Sequence, residues 1–460
     1  MANNILLKNA LIPYGNNLVL RDILCLDGVI VQISNSINKE NIPVLNCNNN
    51  ILIPGGIDSN VNFCDPGFTH REDFETGTIA AVNGGITTVV DYSSSNVSII
   101  KNIELATGKI QLIEPKAWCD FAIIGGISAD EVEKKQLANY NELNQNGICG
   151  VEFFTCTNVA NFRHLSNGQI LDTLKYLSGS GVIFCVHAED FEICDWNARI
   201  FKFKNKNYPK AWCESRPDLA EKISVSNVLA MAAETGARIH FLNISTTKAL
   251  EIIKQAKASG VDVTCETNPY YLEFTEEDTS RLGNNSKLTP PLRKSGDRIN
   301  LWKAISDGVV DIISSSHIPY EYHTEKNFEG ATIWNIYSGT PETQFLLPYL
   351  ISEGYLKNRL SLNDIIKTVC KNPARRFGFY PKKGSLTVGS DADFTIINVN
   401  EKTNVKTEML KSKSKFSIFD GYTFNCRVEK VVLRGNIIFS HNAEEIEQTN
   451  SGIYIKRQSL

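Results

Sequence analysis

Nowhere in the 460 residues does an apolar run approach the roughly 18–20 residues that a membrane-crossing helix requires. The first residues, Met1-Ala-Asn-Asn-Ile-Leu-Leu-Lys-Asn9, lack a basic segment followed by a long apolar stretch, which argues against a secretory signal. A net charge of −4 leaves no electrostatic footprint for nucleic acid or an anionic membrane. The twelve cysteines include no C-x-x-C pair and no repeated spacing, so a zinc–thiolate centre is not expected. Several of them sit in apolar runs, as Cys185 does in Val182-Ile-Phe-Cys-Val186, where a thiol behaves as a small hydrophobe. Reduced, structural thiols point to the cytoplasm. No repeat of solenoid period is present. His70, His164, His240, His323 and His441 have no ligand spacing to one another and read as ordinary residues.

What is present is the composition of a globular protein, 42% hydrophobic and 21% charged, long enough for a large core and a smaller satellite. Residues 5–50 alternate apolar and polar in short runs broken by Asp-Gly and Asn-rich turns, as in Val19-Leu-Arg-Asp-Ile-Leu-Cys-Leu-Asp-Gly28. The same texture returns in Ala392–Asn398 and Val428–Ile438. Neither end has enough strands to bury a face alone, so the two are expected to pair into one small β-sandwich, residues 1–50 with 383–440. Between them, β-branched runs such as Gly85–Asp91, Gly181–His187, Arg238–Asn243, Val261–Glu266 and Val309–Ser314 alternate with helical stretches such as Leu219–Thr235 and Thr246–Ala258. That alternation predicts parallel strands with crossover helices over 51–382, closed as a TIM-type (β/α)₈ barrel. Residues 441–460 are polar and read as a loosely attached tail.

The segment Pro54-Gly-Gly-Ile-Asp-Ser-Asn-Val-Asn-Phe-Cys-Asp-Pro-Gly67 resembles the first-strand signature of dihydroorotases and related cyclic amidohydrolases, P-G-x-I-D-x-H-V-H-x-R-x-P-G. Further family-like stretches run along nearly the whole chain: Glu72–Thr78 with Gly84–Asp91, Val186-His-Ala-Glu-Asp190, Ser215-Arg-Pro217, Pro290-Pro-Leu-Arg293, Asn372-Pro-Ala-Arg375 and Lys383–Asp393. Residues 65–73 favour the dihydroorotase branch. The resemblance implies an amidohydrolase-type barrel with a two-metal centre at the C-terminal ends of its strands, where bridging hydroxide attacks a cyclic amide. It also implies an aspartate after the last strand that shuttles the proton.

Carried over residue by residue, that site is altered. The first-strand histidines fall at Asn60 and Asn62, the bridging lysine at Glu152, the sixth-strand histidine at Asn243 and the aspartate at Ser316, while His187 is kept. The arginine that would clamp a substrate carboxylate falls at Cys64, and the polar contact after the second strand at Ser93-Ser-Ser95. A residual pocket of Cys64, Ser94, His187 and His317 is expected. Neutral amides are poor zinc ligands, so no cofactor is expected beyond a single weakly held divalent ion on Glu152 and His187. The reading favoured by these losses is a dihydroorotase-like chain without metal-dependent hydrolysis, serving as a structural or regulatory subunit. By family analogy its partners are a second copy or a pyrimidine-pathway enzyme such as aspartate carbamoyltransferase. The alternative is a divergent hydrolase of the dihydroorotase, hydantoinase or allantoinase type with a rebuilt site.

Overall fold

The computed structural model describes residues 3–15, 17–94, 99–157, 159, 162–442 and 450–458. Eight parallel strands pair in strict chain order: Gly56–Val61 (β1), Ile86–Tyr92 (β2), Asp120–Gly126 (β3), Val151–Phe154 (β4), Ile183–His187 (β5), Arg238–Leu242 (β6), Val263–Thr267 (β7) and Ile312–Ile313 (β8). Most of their residues are buried, because helices cover the outer face of a parallel sheet and side chains fill its interior. Those helices include Phe74–Asn83 (α1), Ile103–Ile113 (α2), Asn167–Leu177 (α3), Phe191–Phe203 (α4), Lys210–Ser215 (α5), Asp218–Thr235 (α6), Thr247–Ala258 (α7) and Ser295–Ser306 (α8). Their starts are set locally. Asp73 accepts from the Thr76 amide ahead of α1, Ser166 and Gln169 form a capping box on α3, and Thr246 caps α7.

The barrel closes beyond the short last strand. Val61 bridges to His317, with the Asn62 amide donating to the His317 carbonyl at 2.9 Å and the His317 amide to the Asn60 carbonyl at 3.2 Å. The expected strand Val309–Ser314 thus contracts to two residues, and the segment after it supplies the closing hydrogen bonds.

Strands from both chain ends join in one hydrogen-bonded sheet of eight beside the barrel. Phe394–Asn398 lies antiparallel to Ile51–Pro54, which in turn pairs with Ile5–Tyr14. Ile51–Pro54, expected within the barrel, therefore belongs to this sheet. Its core, with Leu7, Ile23, Leu52, Phe394 and Val432, is separate from the barrel core.

The C-terminal segment is not loose. Residues 452–458 run under the barrel, with the Phe121 amide donating to Ile453, the Ile455 amide to Phe121 and the Arg457 amide to Gly147. Backbone pairing and the Phe121–Tyr454 ring contact, centroids 5.7 Å apart, hold a stretch whose polar sequence gave no sign of docking. Among the described residues no helix is long and apolar enough to cross a membrane.

Candidate active site

In a parallel barrel the strand C-termini share one rim, so side chains far apart in sequence converge there. A cavity of about 590 Å³ opens at this rim, lined by Asn60, Asn62, Ser94, Glu152, His187, Asn243 and Ser316. The six positions that the resemblance assigns to metal ligands and proton shuttle, 60, 62, 152, 187, 243 and 316, thus meet in one place. Ser95 lies outside the described residues.

Their polar atoms bond mainly to one another and to an acid missed in the sequence. The Asn60 amide nitrogen donates to Glu266 Oε1 at 2.6 Å and lies 3.4 Å from Asn243 Oδ1. Glu266, at the end of β7, also accepts from Ser59 Oγ at 3.3 Å and faces His240 Nε2 at 3.3 Å. A charged residue near the end of Val263-Thr-Cys-Glu-Thr267 was the available signal, since buried charge in a barrel strand needs a partner. Glu152 accepts from the Ser94 amide at 2.8 Å, and Ser94 Oγ lies 3.3 Å from Asn62 Oδ1. Burial pushes the Glu152 carboxyl up to about 8, against the lowering effect of the Ser94 hydrogen bonds. Asn243 and Ser316 adopt left-handed backbone, φ 57° and 47°, a conformation tolerated by asparagine and uncommon for serine.

His187 turns its Nε2 to Glu189 at 3.1 Å. Glu189 is held on its other side by Arg216, with contacts of 2.6 and 3.1 Å. Burial alone would raise the Glu189 carboxyl, but the Arg216 charge and then His187 bring it down to about 2. This buried ion pair was also missed, although both residues lie in family-like stretches of the sequence.

Two expected pocket residues do not reach the cavity. Cys64 is buried behind Asn62, its Sγ 3.6 Å from the Asn62 carbonyl, and burial pushes its thiol up to about 12. His317 is fully buried. Its Nδ1 takes the Thr343 amide at 3.3 Å, its Nε2 is 3.5 Å from Glu72, and its ring packs edge-on to Phe63. Closure of the barrel through the His317 backbone turns that side chain outward from the cavity.

A closed parallel barrel with a polar cavity at the strand C-termini has the layout in which barrel proteins carry their active sites. The chain belongs to the amidohydrolase family, whose model matches residues 51–438. It is 29% identical over 461 residues to an allantoinase of Deinococcus radiodurans, covering 100% of both chains. To a dihydroorotase of Acetivibrio thermocellus it is 29% identical over 437 residues, covering 93% of this chain and 96% of that one. The solved structure of an L-hydantoinase (dihydropyrimidinase) from Arthrobacter aurescens superposes with a TM-score of 0.93 at 26% identity, covering 99% of this chain and 100% of that one. The cyclic-amidohydrolase kinship therefore holds, and these relatives give no support to the leaning toward a chain without catalysis.

The expectation of no cofactor is overturned by the same membership, because the family resemblance implies divalent-metal chemistry. The described residues also hold a buried group of three carboxylates, Asp120, Asp391 and Asp393, with ligand oxygens within 4.8 Å of one another. That group lies at the opposite end of the barrel, where β3 begins, and already shares the Lys383 ammonium, 2.9 Å from Asp391 and 2.7 Å from Asp393. At the mouth, Asn60 donates to Glu266, His187 faces Glu189 and Glu152 takes the Ser94 amide. This donor set does not fit the two-metal centre of imidazoles and a bridging lysine.

Proposed function

We propose that the chain opens a cyclic amide at the barrel mouth, by hydrolysis of a ring C–N bond in a site rebuilt from carboxylates and amides. The observation that carries this reading is the polar-lined cavity at the strand C-termini of a chain related end to end to an allantoinase and over most of its length to a dihydroorotase. A ring amide presents N–H donors and C=O acceptors at its edge, and an asparagine side chain offers both complements. Asn62 and Asn243 line the cavity for that role. Water adds to the ring carbonyl carbon, the C–N bond breaks, and the departing nitrogen takes a proton. Glu152, whose carboxyl lines the cavity, is the group placed to pass that proton.

The test is ring opening of hydantoin, allantoin, dihydrouracil and dihydroorotate by the purified chain, followed by chromatography, with Zn²⁺, Mn²⁺ or Mg²⁺ supplied. Turnover of one ring, lowered about 10²-fold or more by Glu152→Gln, is the expected result. Binding without turnover under every metal condition would sink the hydrolase reading and return the chain to the subunit reading.

A further inference from the structure

One wall of the cavity carries a positive charge that its own acids do not balance. Lys287 is buried, and its Nζ donates to the Ile336 carbonyl at 2.5 Å while lying 4.4 Å from the centre of the Trp212 ring. Arg216, at the end of α5, stands against the same ring at 4.8 Å. Lys202 of α4 lies 5.5 Å from the Trp334 ring, and the two tryptophan rings are 6.0 Å apart. Lys202, Trp212, Arg216, Lys287 and Trp334 all line the cavity.

The acids nearby are already engaged. Glu189 is bound by Arg216 and His187, and Asp195 of α4 pairs with Arg199 at 2.7 Å. Among the described residues neither Lys287 nor Lys202 has a carboxylate within ion-pairing distance. Behind the wall a second buried lysine, Lys326, donates to the Tyr337 and Gly339 carbonyls at 3.0 Å each, and burial brings its amine down to about 7 as well. An ammonium has three donors, and one carbonyl leaves Lys287 with capacity toward the cavity. Burial first, then Arg216 and Lys202, bring the Lys287 amine down to about 7. A buried charge without a counter-ion is costly, and a bound anion relieves that cost.

We propose that this wall is an anion subsite, in which Lys287, assisted by the exposed Lys202 at the rim, takes a carboxylate carried on the ring ligand. A monoanion matches the one buried ammonium that lines the cavity, and the exposed Lys202 at the rim favours its entry. The ring's identity as a cyclic amide rests on the function proposed above; the preference for an anion rests on the surroundings of Lys287 alone.

Titration calorimetry of the full chain compares 5-carboxymethylhydantoin with 5-ethylhydantoin, a matched pair with and without the carboxylate, and uses inorganic phosphate as competitor. The expected result is at least about tenfold tighter binding of the carboxylate ligand, with a buffer-dependent enthalpy at pH 8 that reports proton uptake by Lys287. Lys287→Met abolishes the preference. Lys202→Met, at an exposed position of α4, reduces the preference a few-fold and weakens its salt dependence. Should Lys287→Met fail to fold, Lys202→Met and the proton uptake still decide. Equal affinity for the two hydantoins, no measurable binding of the carboxylate ligand, or an unchanged preference in Lys287→Met would each overturn the subsite. Phosphate binding as tightly as the carboxylate ligand would overturn its assignment to a carboxylate. The readout is binding, so a preference without turnover removes the hydrolase reading and keeps the subsite, while turnover without preference does the reverse.

Discussion

The Asn60 amide nitrogen reaches Oε1 of Glu266 at 2.6 Å, joining β1 to β7 across the barrel interior. A neutral amide thus supplies a donor to a buried carboxylate that, among the described residues, is otherwise approached by Ser59 and His240. Asn60→Leu removes this donor and leaves Glu266 short of a partner. We expect a loss of about 1–3 kcal/mol in urea unfolding, the cost of an unsatisfied buried acceptor. A change within about 0.5 kcal/mol, the usual range for an inconsequential substitution, would show that Glu266 does not depend on Asn60.

Glu152 contributes a loss of stability as pH rises across neutrality, opposed above about pH 7 by the buried Lys287, whose amine is brought down to about 7. Burial holds the folded Glu152 carboxyl up near 8, whereas its ordinary value is 4.5. Between those values the folded chain keeps a proton that the unfolded chain has released, so increasing pH favours unfolding. Asp91, raised by burial to about 6, adds the same sign over the lower part of the window. Each pKa unit of displacement is worth at most about 1.4 kcal/mol. The stability of wild type relative to Glu152→Gln should therefore fall as pH rises from about 5.5 to about 8. A difference between the two that stays flat over this interval would contradict the environment assigned to Glu152.

Lys383 anchors the far end of the barrel to the terminal sheet through Asp120, Asp391 and Asp393. Lys383→Met leaves three buried carboxylates with, among the described residues, Arg434 on Asp120 as the remaining cationic partner. The expected cost is about 3–5 kcal/mol, as for other buried pairs that lose one member. Millimolar Ca²⁺ should restore part of the melting temperature of the variant by taking the place of the ammonium. Thermal scans with and without Ca²⁺ check both effects, and a variant as stable as the parent would exclude the anchoring role.

The C-terminal segment depends on close approach at Gly452. A Cβ there would meet the Cys119 carbonyl oxygen at 2.1 Å, backbone against backbone. Gly452→Ala should therefore cost about 1–3 kcal/mol through forced displacement. Release of the segment would appear as faster proteolysis after residue 450. A protease pattern and melting temperature unchanged from the parent would refute tight docking.

The barrel and the location of its mouth were legible in the sequence because both follow from short-range rules. Apolar runs at Ile86–Tyr92 and Ile183–His187, separated by capped helices, force parallel pairing. Parallel pairing then brings Asn60, Glu152, His187 and Asn243 to one rim whatever their chemistry. Absent charge patterning and absent cysteine pairs likewise narrowed the choice without any structure.

Tertiary structure alone decided what those residues touch. Asn60 and Glu266 are 206 positions apart, and no local rule couples them. Cys64 and His317 fall at site positions of the resemblance, yet neither lines the cavity: Cys64 is buried behind Asn62, and His317 packs against Phe63 and Glu72. Lys287 reads as an ordinary surface lysine until Trp212, Arg216 and Ile336 enclose it. The polar tail likewise docks only because the barrel presents the open backbone of Phe121 to it. Periodicity and capping act within a few residues, whereas burial, partners and charge balance are set by chain segments that meet only on folding.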